Sequence, residues 1–181
     1  MEADTSAIGT FRVTLRGPML RRGLWLYVWR VVRRGQQELL YVGRTGDNSS
    51  PNASSPYNRM GQHLGLLENQ NALRRHLSDK KIEPEDCERF EFVAHGPIYP
   101  EIAKPENFKH SDKAAVRGLM ELHTPYRNIV GSMERRLADE LSKAGYTVLN
   151  TVNWSHDLSD EDWLPVRRAF EADFPKLKKI G

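Results

Sequence analysis

The sequence contains a single cysteine, Cys87, so an intramolecular disulfide framework and a multi-cysteine zinc site are both excluded. It also has no apolar run of membrane-spanning length, and no basic N-terminal segment followed by an apolar core. We therefore expect no membrane association and a cytoplasmic location. Charge of one sign is not in large excess either, because the formal net charge at pH 7 is only +3.

The 181 residues are 39% hydrophobic and 28% charged, a composition typical of one soluble globular domain. No internal repeat or flexible linker divides the chain, so we predict a single domain over residues 1–181. Its core is expected at about residues 24–154, preceded by a basic arm and followed by a C-terminal helix. The pattern of elements predicts an α/β (α+β) fold, with a small mixed or antiparallel sheet of three to four strands flanked by helices.

Positive charge is concentrated near the N-terminus, where residues 1–46 carry eight arginines and only three acidic residues. An arginine-rich edge is what a phosphate backbone would require, although a solvated basic face explains the same pattern. The arginines nearest the predicted hairpin are the candidate DNA contacts: Arg30, Arg33, Arg34 and Arg44.

A β-hairpin is predicted from two apolar runs, residues 24–32 and 38–43, which flank a polar segment containing Gly35. A three-residue loop, Arg33-Arg34-Gly35, with the glycine in the left-handed region would pair Val32 with Gln36. This register places Tyr27 opposite Tyr41, so that both phenol groups project from one face of the sheet. A packing role with a satisfied hydroxyl is the alternative for each tyrosine taken alone.

Helices are predicted after the hairpin, beginning with a short one over residues 56–64, where Ser55 and Pro56 form a start signal. This helix places Arg59 and His63 on one face. Further helices are expected after Asn71, over residues 112–122, from Thr124-Pro125 to Gly145, and after Ser159. Additional strands are expected at residues 10–15, 90–94 and 146–150, and the strand at 90–94 is expected to end before Gly96-Pro97.

Glu134 lies on or beside the apolar stripe of the helix predicted to begin at Thr124-Pro125. Glutamate is rarely buried without a partner, so a carboxylate there calls for an explanation. Pairing with Arg59 or another arginine is one explanation. Binding a divalent metal is the other, since Mg²⁺ is commonly held by one or two carboxylates together with water and substrate oxygens.

Two tripeptides of the hairpin, Leu-Tyr-Val at 26–28 and Tyr-Val-Gly at 41–43, resemble the "GIY" and "YIG" signatures of the GIY-YIG nucleases. Trp25 stands where that family usually has glycine, and Gly23 lies two residues earlier. The order of the remaining residues is also similar to the family: Tyr27, Tyr41, Arg59, His63, Glu134 and then Asn150. The resemblance covers roughly residues 24–150 and is greatest to the small GIY-YIG restriction endonucleases.

This resemblance implies the roles of the site residues. A tyrosine would take a proton from the attacking water, Arg59 would hold a phosphate oxygen, and Glu134 would bind Mg²⁺ or Mn²⁺. Asn150 would position a tyrosine or the glutamate, or else simply end its strand in a turn. Arg44 stands where some members carry a lysine proposed to assist a tyrosine. Because arginine does not readily lose its proton, His63 is the better candidate for that role.

The expected function is therefore metal-dependent, site-specific cleavage of double-stranded DNA, with a homodimer acting on a palindromic site. Specificity would come from residues 48–57, residues 65–123 and the C-terminal helix. Two alternatives stay open. One is a nuclease of repair or recombination that acts on branched or nicked DNA. The other is a DNA-binding module of the same fold without catalysis.

Overall fold

The computed structural model describes residues 9–46, 51–67 and 71–180 and contains one four-stranded mixed sheet flanked by helices. The strands are β1 (Gly23–Val32), β2 (Leu39–Arg44), β3 (Arg89–Pro100) and β4 (Thr147–Val148), arranged in the order β3-β1-β2-β4. Strand β1 is antiparallel to both β2 and β3, whereas β4 is parallel to β2. The predicted α/β class is confirmed.

Four helices complete the fold: α1 (Pro56–Leu64), α2 (Ala72–Asp79), α3 (Lys113–Lys143) and α4 (Asp160–Phe170). Helix α1 begins as predicted, because the Ser55 hydroxyl accepts a hydrogen bond from the Asn58 amide at 3.4 Å. Helix α4 begins in the same way at Ser159, whose hydroxyl accepts from the Asp162 amide at 3.1 Å. No helix of the described residues has both the length and the apolar character needed to cross a membrane.

The alternation of β1 and β2 divides the interior into two layers. On one face, Leu26, Val28, Leu40 and Val42 pack against α3 and α4. On the opposite face, Tyr27, Trp29 and Tyr41 pack with α2 and with apolar side chains of α1. The two predicted site tyrosines therefore share one face of the sheet, as the sequence indicated.

The predicted hairpin register is wrong by two residues. Tyr27 pairs with Gly43, and Tyr41 pairs with Trp29. Gly35 does take a positive φ of 64°, but the loop that it belongs to runs over residues 33–38 and is longer than the predicted three residues. A shift of two residues keeps every side chain on its original face, which is why the tyrosines still lie together.

Two proline signals were misinterpreted at the level of sequence. Helix α3 is continuous through Pro125, where two separate helices are expected, and the Thr124 hydroxyl donates to the Met120 carbonyl at 2.6 Å. Strand β3 likewise continues through Gly96-Pro97 to Pro100. Residues 10–15, predicted as a strand, form none, and a short 3₁₀ turn, Gly17–Leu20, follows them.

Candidate active site at the end of strand β2

Most of the predicted site residues lie around the last four residues of β2, Tyr41 to Arg44. Tyr27 of β1 and His63 of α1 form the centre of the cluster on one face, where a hydrogen bond of 2.6 Å joins the Tyr27 hydroxyl to His63 Nε2. The ring of Tyr41 lies 5.1 Å from that of His63. Tyr27 is 1% exposed, His63 2% and Tyr41 9%, so the cluster lies almost wholly beneath the surface.

Gly43 makes room for the Tyr27 phenol. A Cβ atom at position 43 would lie 2.6 Å from the Tyr27 hydroxyl and 2.5 Å from its ring, so a side chain there would displace the phenol. The glycine of the Tyr-Val-Gly tripeptide is therefore required by the close approach of β1 to β2. It determines where the Tyr27 hydroxyl can lie and, through it, the hydrogen bond to His63.

Asn150 holds the outer edge of β2. Its amide nitrogen donates to the Val42 carbonyl at 2.8 Å, and its amide oxygen accepts from the Val42 N–H at 3.0 Å. The side chain thus takes the place of a neighbouring strand just beyond the two-residue β4. Asn150 contacts the backbone between Tyr41 and Gly43, so it positions the strand that carries the tyrosine.

Arg44 and Glu134 form an ion pair on the other face of the sheet. Strand alternation turns Arg44 toward α3, where Glu134 lies one helical turn from buried Val130. Arg44 is 4% exposed and Glu134 13%. Of the two explanations for a carboxylate at this position, pairing with an arginine is therefore observed, and the arginine is Arg44.

Trp154 covers this ion pair from the side. The Arg44 guanidinium lies 4.1 Å from the centre of the indole, a cation–π distance. The indole also lies against Gly131 of α3, where a Cβ would meet it at 2.3 Å. Trp154 is thus part of the site, although no sequence pattern indicates it, since its contact with Gly131 arises only when the segment after β4 folds back on α3.

Arg59 lies on α1 one turn before His63 and donates to Gln62 Oε1 at 3.1 Å. This placement agrees with the predicted shared helix face. The structure consequently brings Tyr27, Tyr41, Arg59 and His63 to one side of the sheet, whereas Glu134 approaches the end of β2 from the other side.

The candidate DNA-binding arginines occupy different environments. Arg30 forms ion pairs with Glu91 at 2.7 Å and Glu38 at 3.4 Å, and its guanidinium lies 4.9 Å from the Phe174 ring. Arg33 and Arg34 lie in the hairpin loop, about 20 Å along β1 from Tyr27. Of the four arginines, only Arg44 is at the end of β2.

The carboxylate of Glu134 is chemically suited to a magnesium ion, because Mg²⁺ prefers hard oxygen ligands and one or two carboxylates suffice to hold it. Glu134 is the residue that would hold the ion. Within the described residues, no three side chains of histidine, cysteine, aspartate or glutamate come together as a metal site. Water and phosphate oxygens would therefore supply the remaining ligands.

A comparison with protein-family models found no match, and comparisons with curated proteins and with solved structures found none either. The function is accordingly inferred from the residues and their geometry.

Proposed function

We propose that this protein is a metal-dependent DNA endonuclease of the GIY-YIG type, which hydrolyses phosphodiester bonds at a specific site. The observation that carries the proposal is the convergence on the end of β2. Residues 27, 41–44, 63, 134 and 150 are far apart in sequence. They bring together a hydrogen-bonded tyrosine–histidine pair, an arginine, a carboxylate and a side-chain amide.

In this proposal the tyrosine–histidine pair moves a proton. The Tyr27 oxygen takes a proton from the attacking water while its own proton passes to His63 Nε2 along the 2.6 Å hydrogen bond. The water oxygen forms a bond to phosphorus, the scissile P–O bond breaks, and the leaving oxygen takes a proton from solvent. Because Tyr27 is 1% exposed, its covering residues must move when DNA binds.

The arginines supply positive charge for the phosphate. Arg59 precedes His63 by one turn and presents a planar guanidinium suited to two parallel hydrogen bonds with phosphate oxygens. A magnesium ion, when bound by Glu134, supplies Lewis-acid neutralisation of the charge that develops on phosphate and leaving oxygen. Arg44, the present partner of that carboxylate, would then be available to the DNA backbone.

Recognition would involve the segments around the site, and two copies acting on a palindromic sequence would cut both strands. Part of the proposed recognition segment lies outside the described residues, namely 48–50, and so do 68–70 within the segment 65–123.

Cleavage of mixed plasmid and phage DNA in Mg²⁺ by the wild type and by Glu134→Gln tests this function. The wild type should give discrete fragments. Glutamine keeps an oxygen that can accept from Arg44 but removes the charge, so the variant should lose at least about a hundredfold in cleavage rate. Its DNA affinity should stay equal or rise, because one negative charge facing the backbone is gone.

Asp139→Asn is the matched control, since it removes the same charge from the same helix at an exposed position. It should cut like the wild type. A folded Glu134→Gln protein that cleaves at nearly the wild-type rate would rule out the metal-ligand role. A smear of products in place of discrete fragments would show that cleavage is non-specific. Cutting confined to branched or nicked substrates would favour a repair or recombination nuclease.

A non-catalytic DNA-binding module is the second candidate, and the Arg44–Glu134 ion pair favours it, because that pair accounts for the carboxylate without a metal. Its signature would be DNA binding without cleavage in Mg²⁺ or Mn²⁺. If Glu134 has only a structural role, Glu134→Gln should have a lower melting temperature than the wild type.

A further inference from the structure

Trp154 is held rigidly on α3 by contacts at three points. Its indole N–H donates to the Asn128 carbonyl at 3.0 Å, and its own carbonyl accepts from Arg135 Nη1 at 2.6 Å. Because Gly131 has no side chain, the indole ring lies directly on the helix. A fixed aromatic face of this kind can hold a guanidinium in one orientation.

Two guanidinium groups share this indole. Arg44 lies 4.1 Å from the ring centre and Arg127 lies 5.5 Å from the centre of the same ring. Bringing two like charges to one ring costs free energy unless an anion compensates each of them. Glu134 compensates Arg44.

Arg127 has no such compensation in the part of the chain that the structure describes. No carboxylate there forms an ion pair with it, and its Nε is buried without a hydrogen-bond partner. The arginine is nevertheless positioned, because the indole fixes it beside the Arg44–Glu134 pair. A positioned guanidinium whose charge no carboxylate balances is suited to an external anion.

The position of Arg127 relative to Glu134 indicates which anion. The two residues are seven apart on α3, so they lie on one side of the helix, two turns or about 10 Å apart. A DNA strand with one phosphate beside the Arg44–Glu134 pair would carry further phosphates past Arg127. A planar guanidinium stacked on an aromatic ring still presents its edge for bidentate contact with phosphate.

We propose that Arg127, stacked on Trp154, binds a backbone phosphate of the DNA next to the scissile one, and that Trp154 is its positioning residue. This inference rests on the proposed function for the identity of the neighbouring phosphate. The binding itself requires no cleavage, so it can be measured separately.

The experiment measures the affinity for a labelled random-sequence DNA duplex without divalent ions over a series of salt concentrations. Each phosphate contact contributes about 0.9 to the slope of log affinity against log salt, so Arg127→Ala should lower that slope by about 0.9. Arg89→Ala is the matched control, because it removes the same charge from an exposed arginine at the far end of the sheet. Its slope should equal that of the wild type.

Variants of Trp154 separate positioning from charge. Trp154→Leu changes no charge, yet it should weaken binding about as much as Arg127→Ala, and the double variant should be no weaker than either single variant. Trp154→Phe keeps an aromatic face and should restore most of the affinity. Melting temperatures of all variants would identify any loss that arises from unfolding.

An unchanged slope in Arg127→Ala would overturn the inference, as would an equal decrease in Arg89→Ala, which would indicate a general charge effect. If the wild type cuts DNA but Arg127→Ala has the same salt slope as the wild type, the nuclease proposal is supported and the proposed phosphate contact is wrong. If Arg127→Ala lowers the salt slope as expected but the wild type never cuts DNA, the phosphate contact is supported and the nuclease proposal is wrong. Absence of binding by the wild type overturns the contact.

Discussion

At the scale of single residues, the Tyr27 hydroxyl is the group whose two roles can be separated most directly. Tyr27→Phe removes the phenol hydroxyl and with it the buried hydrogen bond to His63 Nε2. We expect a loss of about 1–3 kcal/mol in the free energy of unfolding, and a loss of cleavage well beyond that explained by unfolded protein. Thermal denaturation and cleavage rates on one preparation give both numbers.

Tyr126→Phe is the control for this substitution, because Tyr126 is 39% exposed and its hydroxyl should contribute little to stability. It should leave the melting temperature and the cleavage rate unchanged. If Tyr27→Phe lost stability but cleaved in proportion to its folded fraction, Tyr27 would be a packing residue whose hydroxyl is merely satisfied.

The residues of the tyrosine cluster could be predicted from sequence because local patterns define them. Alternation places Tyr27 and Tyr41 on one face whatever the exact register, and helix periodicity places Arg59 and His63 together. The Arg44–Glu134 pair and the stacking of Trp154 could not be predicted in this way. Both depend on how α3 and the segment after β4 lie against the sheet, which no local pattern encodes.

At the scale of the elements, the close approach of β1 and β2 at Gly43 gives the second prediction. Gly43→Ala would place a methyl group 2.5 Å from the Tyr27 ring, so the phenol must leave its position beside His63. We expect a destabilisation of about 1–3 kcal/mol from overpacking, with cleavage reduced as in Tyr27→Phe. Urea denaturation and cleavage assays measure the two effects.

Gly61→Ala is the matched control within the same site. Gly61 lies in α1 between Arg59 and His63, and no atom lies within 4 Å of the Cβ it would gain. Alanine is favoured over glycine in a helix interior by about 1 kcal/mol, so this variant should be more stable and fully active. Equal activity losses in both variants would contradict the assignment of the effect to Tyr27.

The helix starts at Ser55 and Ser159 agree with the prediction, because a capping residue defines each of them. The turn at Gly35 is longer than predicted, and two further boundary errors involve proline. Pro125 interrupts the hydrogen bonding of α3, yet the helix continues with buried side chains on both sides of it, Leu119 before it and Val130 after it. Tertiary packing outweighed the local signal there.

At the scale of the whole molecule, stability should depend on pH through three partly or fully buried histidines. Burial lowers the pKa of His76, His95 and His123 below the ordinary value of 6.5. Below pH 6.5 the unfolded chain therefore binds protons that the folded protein does not. The free energy of unfolding should be fully present above pH 6.5 and should fall as the pH drops toward the lowered pKa values.

Thermal denaturation between pH 7.5 and 5 tests this dependence. His123→Gln should flatten the fall in melting temperature, since His123 is 1% exposed, whereas His110→Gln at an exposed position should not. A further decrease in the melting temperature is expected below about pH 4.5, because two glutamates have a lowered pKa in the folded protein. Hydrogen bonds from arginine lower the pKa of Glu91. Burial acts to raise the pKa of Glu101, but the hydrogen bonds that this carboxylate accepts bring its pKa below the ordinary value. A melting temperature that stays constant from pH 7.5 to 5 would contradict the histidine contribution.

The two hydrogen bonds of Asn150 to Val42 have a consequence for turnover. Beyond Leu40, β4 no longer pairs with β2, so one side chain closes the outer edge of the strand that carries the site. Local unfolding of this short segment breaks few bonds, whereas the long β1–β3 ladder remains intact. If the protein is the nuclease proposed above, we expect the end of β2 to open locally at this edge without global unfolding, so that replacing Asn150 would change the turnover rate more than the melting temperature.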